Sequence, residues 1–522
     1  MTRRLLQLFK CCAPLSFVLF FCNQAIAGAA MTNSESIVIS TQLGEVEGKR
    51  AGNVATFYGL PYAKNPFTEA RRFQAPQAIE AWSERYDART MTQPVPQPSR
   101  GKTTTLVGAP GDLTVNIWTP ASAINTQQAL PVMVWLPGGA FIREDAAEQA
   151  YDGSHFARHN VVIVTVNYRV GVDGFMHIKG APDNRGILDQ ILALQWVQDN
   201  IQDYGGDPAN VTLFGQSAGA GSVAILLGTK QANGLFHKAI MQSPPMQAMT
   251  QSQAAKVSHV FASKLKVPAT IEGLSSVKFD ALVAGVVDMG NSITDRSEWG
   301  MLSWGGTAFL PVIDKALILN SPMVNLANNA NPSMPIIVGS TDQESRLYLV
   351  PGGEIDRIRE DQVSLFLRDL HLGDEAAKVY QKTDDVSHGD IYADIQSDYT
   401  FRVPALRIAE LLSNKGNPVW KYNFSWQSPA YDGRLGAGHF VDVPFTFGTI
   451  HSEEAANFVG QQPPETLSTL MQTQWLLFAK TSQPQWGRYN QTERLTLRFD
   501  TQSKELKDPN KAVRTLWQDY PF

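Results

Sequence analysis

The chain has 522 residues, of which 43% are hydrophobic and 18% are charged, and its formal net charge is −5. This composition is typical of a globular protein with enough apolar material for a large core. No basic block of the kind that binds nucleic acid is present, so we predict no nucleic-acid partner.

The first 27 residues have the organisation of a secretory signal peptide. Positive charges at Arg3, Arg4 and Lys10 precede an apolar run over residues 11–21, and Ala25-Ile26-Ala27 has the small-x-small pattern of a cleavage site. The apolar run is too short to span a bilayer. We therefore expect cleavage after Ala27 and no stable membrane anchor; the alternative is a buried N-terminal helix.

All the cysteines lie within this N-terminal segment, at Cys11, Cys12 and Cys22. The mature chain is therefore predicted to have no disulfide and no thiol chemistry. Loss of the three positive charges would leave it with a net charge of about −8. An exported protein without disulfides suits the bacterial periplasm or the culture medium, and the sequence does not separate the two.

Apolar runs alternate with amphipathic stretches from residue 111 onward. Short, fully apolar strands separated by helices predict an α/β fold, with a central, mostly parallel, twisted sheet covered by helices on both faces. We predict one large domain over residues 34–520. The predicted strands are 113–118, 132–136, 161–166, 211–214, 239–241, 335–338, 419–424 and 495–499, and the clearest helices are 187–204 and 466–480.

Three polar stretches rich in Gly and Pro interrupt this pattern, at residues 92–110, 290–306 and 328–334. Such composition is typical of surface loops. We predict that some of these insertions cover a pocket.

The segment 211–220, VTLFGQSAGA, is the strongest chemical signal. A hydrophobic run ends in Gly215-x-Ser217-x-Gly219 and is followed by small residues. This pattern predicts a strand, a sharp turn and a helix, with the Ser217 hydroxyl exposed at the apex. Because the five-residue motif also occurs by chance, its value depends on suitable partners elsewhere in the chain.

A serine nucleophile needs a base, an acid that orients the base, and N–H donors for the oxyanion. In the chain order Ser, acid, His, the predicted strand 335–338 leads into GSTDQE (339–344), and a later glycine-rich loop, GAGHFVDVP (436–444), contains His439. Glu344 is the favoured acid and Asp342 the competing one. The predicted strand 132–136 is followed by Pro137-Gly-Gly-Ala-Phe141, a candidate loop for the oxyanion donors.

Together with these groups, many ordered motifs resemble the type-B carboxylesterase (cholinesterase-like) family of α/β-hydrolases, in its bacterial exported form. The resemblance covers residues 37–517, nearly the whole mature chain. The motifs are FYGLPYA (57–63), RF (72–73), NIWTP (116–120), YDGS (151–154), NYRVG (167–171), GILDQ (186–190), GGDPANVTLFGQSAG (205–219), GLFH (234–237), QS (242–243), PVID (311–314) and PFTFG (444–448).

The resemblance implies an α/β-hydrolase fold and a serine esterase that uses no cofactor and no metal. Ser217 would be the nucleophile, His439 the general base and acid, and Glu344 the residue that orients His439. The implied oxyanion donors are the backbone N–H groups of Gly139, Ala140 and Ala218. The implied cycle proceeds through an acyl-enzyme on Ser217.

The sequence departs from the family pattern near these groups. Pro137 and Ala140 stand in a loop that is usually His-Gly-Gly-Gly, and the Ala140 methyl group is expected to crowd large substrates. Gln216 replaces a glutamate beside the serine, and Asp442 stands where the family often has glutamate. The cysteine loop near the N-terminus, which in cholinesterases contains a tryptophan, is missing.

Other positions bear on the substrate. Leu347 replaces a phenylalanine of the cholinesterase site, which together with neutral Gln216 argues against choline esters. Small residues at Gly305 and Thr307 predict a roomy acyl pocket. Phe141, Tyr348 and Trp304 are candidates for its remaining walls, with plain core packing as the alternative for each.

The leading hypothesis is therefore an exported hydrolase of small-molecule carboxylic esters. The same groups would also serve amides, carbamates or lactones. A non-catalytic binding protein on the same fold is a third alternative, and the oligomeric state is left open.

Overall fold

A computed structural model describes residues 34–100, 105–126, 128–373, 376–381, 383 and 385–522. The predicted signal peptide at 1–27 lies outside these residues. In the part of the chain that is described, no helix has the length and apolar character needed to cross a bilayer.

A mixed sheet of 13 strands forms the centre of the domain, in the order β1-β2-β3-β7-β9-β8-β10-β11-β14-β15-β16-β17, with β4 beside β2. From β9 to β16 neighbouring strands are parallel, and antiparallel strands flank this part on both sides. Its strands are β1 (Glu35–Thr41), β2 (Gly44–Ala51), β3 (Val54–Ala63), β4 (Tyr86–Asp87), β7 (Leu113–Pro120), β8 (Leu130–Leu136), β9 (Val162–Val166), β10 (Gly206–Gln216), β11 (Lys238–Gln242), β14 (Ile336–Thr341), β15 (Val419–Phe424), β16 (Leu495–Phe499) and β17 (Lys504–Lys507).

Short strand pairs lie outside this sheet: β5 (Gln97–Pro98) with β6 (Leu106–Val107), and β12 (Met249–Thr250) with β13 (Val312–Ile313). The α-helices are α1 (Ser154–Arg158), α2 (Gly171–Phe175), α3 (Arg185–Asn200), α4 (Ala218–Leu227), α5 (Gln251–Lys264), α6 (Ile271–Ser275), α7 (Phe279–Ser292), α8 (Arg296–Trp299), α9 (Pro322–Asn329), α10 (Arg346–Leu349), α11 (Glu360–Asp369), α12 (Ala376–Tyr380), α13 (His388–Ser397), α14 (Val403–Lys415), α15 (Asp442–Phe447), α16 (Glu453–Val459), α17 (Glu465–Thr481) and α18 (Lys511–Leu516). A π-helical turn, Asp398–Arg402, joins α13 to α14.

The two faces of the sheet pack into two separate apolar clusters. In β8, Val132 and Val134 belong to the first cluster, while Met133 and Trp135 belong to the second. Successive side chains of a strand point to opposite faces, so this division follows directly from the strand geometry. Helices α3, α4 and α14 cover the first face, and α1, α15 and α17 cover the second. The predicted α/β architecture is confirmed.

The predicted elements agree with the structure in the apolar, parallel part of the sheet. The strands predicted at 419–424 and 495–499 have those bounds, and the helix predicted at 187–204 is α3 followed by a 3₁₀ turn. The antiparallel strands β1 to β3 before residue 64 were not among the predicted strands. Strands β1 and β2 are partly exposed, so their sequence lacks the continuous apolar run that marks the buried strands, whereas β3 is largely buried.

Candidate active site

Ser217 sits at a sharp turn between β10 and α4. Its backbone angles, φ 56° and ψ −129°, lie outside the regions that a non-glycine residue normally adopts. The turn is held in place because the Ser217 N–H donates to the Gln242 carbonyl of the neighbouring strand at 2.9 Å. Helix α4 begins at the next residue, so the positive end of its dipole points at the serine.

The two glycines of the motif are required by close approach of the backbone. A Cβ added to Gly219 would lie 2.0 Å from the carbonyl oxygen of Leu136, and one added to Gly215 would lie 2.7 Å from the backbone of Gly219. Contacts this short exclude any side chain at either position. The glycines therefore allow the start of α4 to pack against the end of β8.

Glu344 lies fully buried in the loop after β14. Its Oε1 accepts from Ser243 Oγ at 2.6 Å and from the Thr341 N–H at 2.7 Å, while its Oε2 pairs with Nδ1 of His439. Each carboxylate oxygen thus has a donor. The bonds leave Glu344 one orientation, with Oε2 facing the imidazole ring.

The competing acid, Asp342, lies in the same loop but is bound elsewhere. Its Oδ2 accepts from Ser425 Oγ at 2.6 Å. Burial raises the pKa of Asp342, and its hydrogen bond with Ser425 opposes that shift. Glu344, rather than Asp342, is therefore the carboxylate beside His439.

His439 is held on several sides. Its Nδ1 faces Glu344, its backbone N–H donates to the Glu344 carbonyl at 3.1 Å, and the ring of Phe401 stacks on it with centroids 4.4 Å apart. Phe401 belongs to the π-helical turn, a type of local irregularity that is frequent at functional sites. Tyr348 lies farther from the imidazole, at 5.7 Å between ring centroids.

Nε2 of His439, the ring nitrogen that does not face Glu344, contacts Gln216, the residue before Ser217. Nε2 lies 2.9 Å from the amide nitrogen of Gln216, a residue that is 2% exposed. A neutral imidazole that donates from Nδ1 to Glu344 has a lone pair on Nε2, so the Gln216 amide donates to it. Between Ser217 and His439, both of which are described, no hydrogen bond is formed in this structure.

The loop after β8 runs beside the serine. A Cβ added to Gly138 would lie 3.0 Å from the Ser217 Cβ, which shows how closely this loop approaches. Gly139, Ala140 and Phe141 all have positive φ, 129°, 56° and 60°. This unusual backbone is stabilised by bonds from the Ile142 and Arg143 N–H groups to the Gly139 carbonyl, and Thr307 Oγ1 donates to the Ala140 carbonyl at 3.3 Å.

These bonds leave backbone donors available near Ser217. No described residue accepts a hydrogen bond from the N–H of Gly139 or Ala140. Ala218 is the first residue of α4, so its N–H has no intrahelical acceptor. The predicted oxyanion donors thus flank the serine on two sides.

Asp442 lies behind this group and is fully buried. Its Oδ2 accepts from Gln242 Nε2 at 2.9 Å and from the Tyr422 hydroxyl at 3.1 Å, whereas Oδ1 has no partner among the described residues. Burial raises the pKa of Asp442 to about 6. The Gln242 carbonyl also accepts from the Ser217 N–H, so this hydrogen-bond network stabilises the backbone turn at Ser217.

A cavity of about 200 Å³ opens at Ser217. Its walls combine residues from the oxyanion loop, the insertion at 290–306, α10 and the π-helical turn. The lining residues are Ala140, Phe141, Ser217, Ala218, Pro245, Gln247, Trp304, Gly305, Gly306, Thr307, Leu310, Ser345, Tyr348, Gln396, Thr400 and Phe401.

Of the predicted pocket residues, Phe141, Trp304, Gly305, Thr307 and Tyr348 line this cavity. Leu347 does not, because it packs against the second core cluster. Gln216 lies outside the lining too and contacts His439 instead.

Several residues of the site had no assigned role from the sequence. Ser243 belongs to a noted motif, but its bond to Glu344 follows only from the packing of β11 against β14. Phe401 and Thr400 lie in a helical segment with no chemical signal.

The chain is similar to known proteins over most of its length. The sequence profile of the Carboxylesterase family matches residues 35–516. Para-nitrobenzyl esterase of Bacillus subtilis (strain 168) is 33% identical over 496 residues, which cover 91% of this chain and 97% of that protein. Phenmedipham hydrolase of Pseudarthrobacter oxydans is 30% identical, over 86% of this chain and 90% of that protein. Among solved structures, a carboxylesterase of Geobacillus stearothermophilus superposes with a TM-score of 0.82 at 30% identity, covering 92% of this chain and 100% of that one.

Proposed function

The chain belongs to the carboxylesterase family, and we propose that it is an exported serine hydrolase that cleaves carboxylic esters through an acyl-enzyme on Ser217. The observation that carries the proposal is the contact between Glu344 and His439 beside a strained serine turn that opens into a cavity. The α/β-hydrolase fold of the relatives supplies the scaffold.

The first step is attack by Ser217 Oγ on the ester carbonyl. His439 accepts the hydroxyl proton at Nε2, and Glu344 stabilises the imidazolium that forms. For this transfer Nε2 exchanges the amide of Gln216 for the hydroxyl of Ser217, two adjacent residues. The stacked ring of Phe401 keeps the imidazole in its plane during this exchange.

The carbonyl oxygen becomes negatively charged in the tetrahedral intermediate. In this proposal the N–H groups of Gly139, Ala140 and Ala218 donate to it, and the dipole of α4 adds to the stabilisation. Their geometry exists before the substrate binds, since the loop is held by its own backbone bonds and by Thr307. Preorganised donors of this kind avoid a reorganisation cost during the reaction.

The intermediate collapses as the bond to the alcohol oxygen breaks. His439 gives its proton to that oxygen, so the alcohol leaves neutral and the acyl group stays on Ser217. Water then attacks the acyl-enzyme, with His439 taking its proton, and a second tetrahedral intermediate breaks down to release the acid. Ser217 regains its proton from His439, and the cycle closes without a net change in the protein.

A graded series of p-nitrophenyl esters tests this proposal, with Ser217→Ala as the control. Removal of the nucleophile should lower kcat by about 10⁶-fold if the groups act as a unit. An organophosphate should label Ser217 in the wild type and not in the variant. A folded wild type that cleaves no ester and resists labelling would instead favour a non-catalytic binding protein, and labelling without ester turnover would direct attention to amides, carbamates or lactones.

Export of the protein rests on the N-terminal sequence. The charged start, the apolar run and the small-x-small site support cleavage after Ala27. Expression of the full chain in a Gram-negative host, followed by mass determination of the exported product, tests this. A product that begins at Gly28 supports the proposal, whereas an uncleaved chain confined to the cytoplasm contradicts it.

A further inference from the structure

A second cavity lies beside the one at Ser217. It measures about 220 Å³, close to the size of the first. The two share Gln247, Gly305 and Leu310 in their linings, so these residues lie between the two cavities. Ser217 lines the first cavity, and Pro521 and Phe522 line the second.

The second cavity is suited to an apolar group. Its lining includes Met246, Met301, Leu302, Ile313, Pro322 and Phe522. None of the described residues around it contributes a charged side chain. A hydrocarbon chain would replace water there at no cost in lost ionic contacts, and each buried methylene would gain about fourfold in binding.

Gly305 stands at the junction of the cavities. A Cβ built on it meets no atom within 4 Å, and its φ is not positive, so a side chain at this position would extend into open space. The turn Gly300–Gly305, which contains Gly305, is anchored by the side chain of Trp304. That indole stacks on Phe366 with centroids 4.2 Å apart and donates to Asp369 at 3.0 Å. The junction is therefore built into the fold.

We propose that the two cavities form one channel for the hydrocarbon chain of a medium- or long-chain ester, and that Gly305 keeps the channel open. The proposal deepens the proposed function, on which it rests, by naming the substrate class. The chain belongs either to the acid or to the alcohol of the ester, since an alkyl group from either side fits the same apolar walls.

The test compares wild type with Gly305→Leu on two homologous series, p-nitrophenyl esters from acetate to laurate and alkyl acetates from ethyl to dodecyl. In the wild type kcat/KM should rise with chain length beyond four carbons. The leucine should lower kcat/KM for esters of ten or more carbons at least tenfold more than for esters of two to four carbons, because two or more methylenes lose their site. Loss in the first series alone assigns the chain to the acid, and loss in the second alone assigns it to the alcohol; both support the channel.

Two further variants make the result specific. Gly290→Leu, in α7, also places a side chain in open space but lines neither cavity, so its profile should match the wild type. Gly305→Ala should give an intermediate loss of kcat/KM on long esters. It replaces the leucine variant in the test if that variant is too unstable to assay. An equal loss on short and long esters, or a wild-type profile that falls beyond four carbons, would overturn the channel while ester hydrolysis at Ser217 stands. Absence of cleavage on every ester, with Ser217 unlabelled by an organophosphate, would overturn both.

Discussion

The amide nitrogen of Gln216 lies 2.9 Å from Nε2 of His439, so the imidazole is bound by the neighbour of the serine rather than by the serine itself. The contact is inaccessible to solvent, since both residues are almost fully buried. An amide can donate here only while the ring is neutral. Gln216 therefore occupies, in this structure, the ring nitrogen that a general base would use.

This relationship predicts the effect of Gln216→Glu. A carboxylate at the same distance favours the charged ring, which cannot accept a proton from Ser217. We expect the acid limb of the pH profile of kcat/KM to move upward by about one unit or more. Profiles of p-nitrophenyl acetate hydrolysis from pH 5 to 9 measure this. Gln216→Met, which removes the contact without adding charge, should move the limb less than Gln216→Glu, and an unmoved limb in the glutamate variant would show that the side chain at 216 does not act on the imidazole.

The assignment of the acid is tested by Glu344→Gln and Asp342→Asn. An amide at 344 cannot stabilise the imidazolium and disturbs the tautomer of His439, so kcat should fall by about 10³–10⁴-fold. Asparagine at 342 keeps an oxygen for Ser425, and its kcat should stay within about tenfold of the wild type. Circular dichroism confirms that each variant is folded. A larger loss at 342 than at 344 would reverse the assignment.

Ala140→Gly should relieve the oxyanion loop. Its φ of 56° is strained for alanine, whereas glycine adopts it without penalty. The free energy of unfolding should therefore rise by about 1 kcal/mol. The methyl group also lines the cavity, so kcat/KM for bulky acyl esters should rise relative to acetate. Asn125→Gly, at the same φ on the exposed surface, should gain less stability, because asparagine tolerates this conformation, and should leave the substrate profile unchanged. An unchanged preference in Ala140→Gly would mean that the methyl group does not limit substrate size.

Asp442 predicts a particular dependence of stability on pH. Burial raises its pKa in the folded protein to about 6, above the value of about 3.9 in the unfolded chain. The folded state therefore binds the proton more tightly, and stability is lost as the pH rises from about 4 to about 6, by about 2–3 kcal/mol. Asp442→Asn keeps an acceptor for Gln242 and Tyr422 but has no charge to bury.

Unfolding in urea at several pH values measures this effect. The asparagine variant should equal the wild type near pH 4 and exceed it in stability by about 2–3 kcal/mol at pH 7. Asp199→Asn, at an exposed site, should give parallel curves for variant and wild type. A constant difference across the whole range would show that the effect of Asp442→Asn is not ionisation.

Much of the fold was predictable because its signals are local. Strands β15 and β16 are buried on both faces, so each is a short run without interruption, and the prediction had the correct bounds. Strand β10 extends back to Gly206 rather than starting at 211, because its first residues pair with β8 only after the chain has folded. No local pattern in 206–210 marks that pairing.

The sequence by itself determined the serine turn, since the glycines at 215 and 219 and the apolar strand before them are requirements of the backbone over a few residues. It also determined the order of the acid and the histidine. Only the tertiary structure shows that Glu344 lies against His439, whereas Asp342, two residues earlier in the same loop, does not. Whether a side chain reaches His439 depends on partners from distant segments: Ser243 holds one carboxylate, and Ser425 holds the other. The cavities follow the same principle, because their walls come from segments hundreds of residues apart, and the packing that brings them together is a property of the whole core.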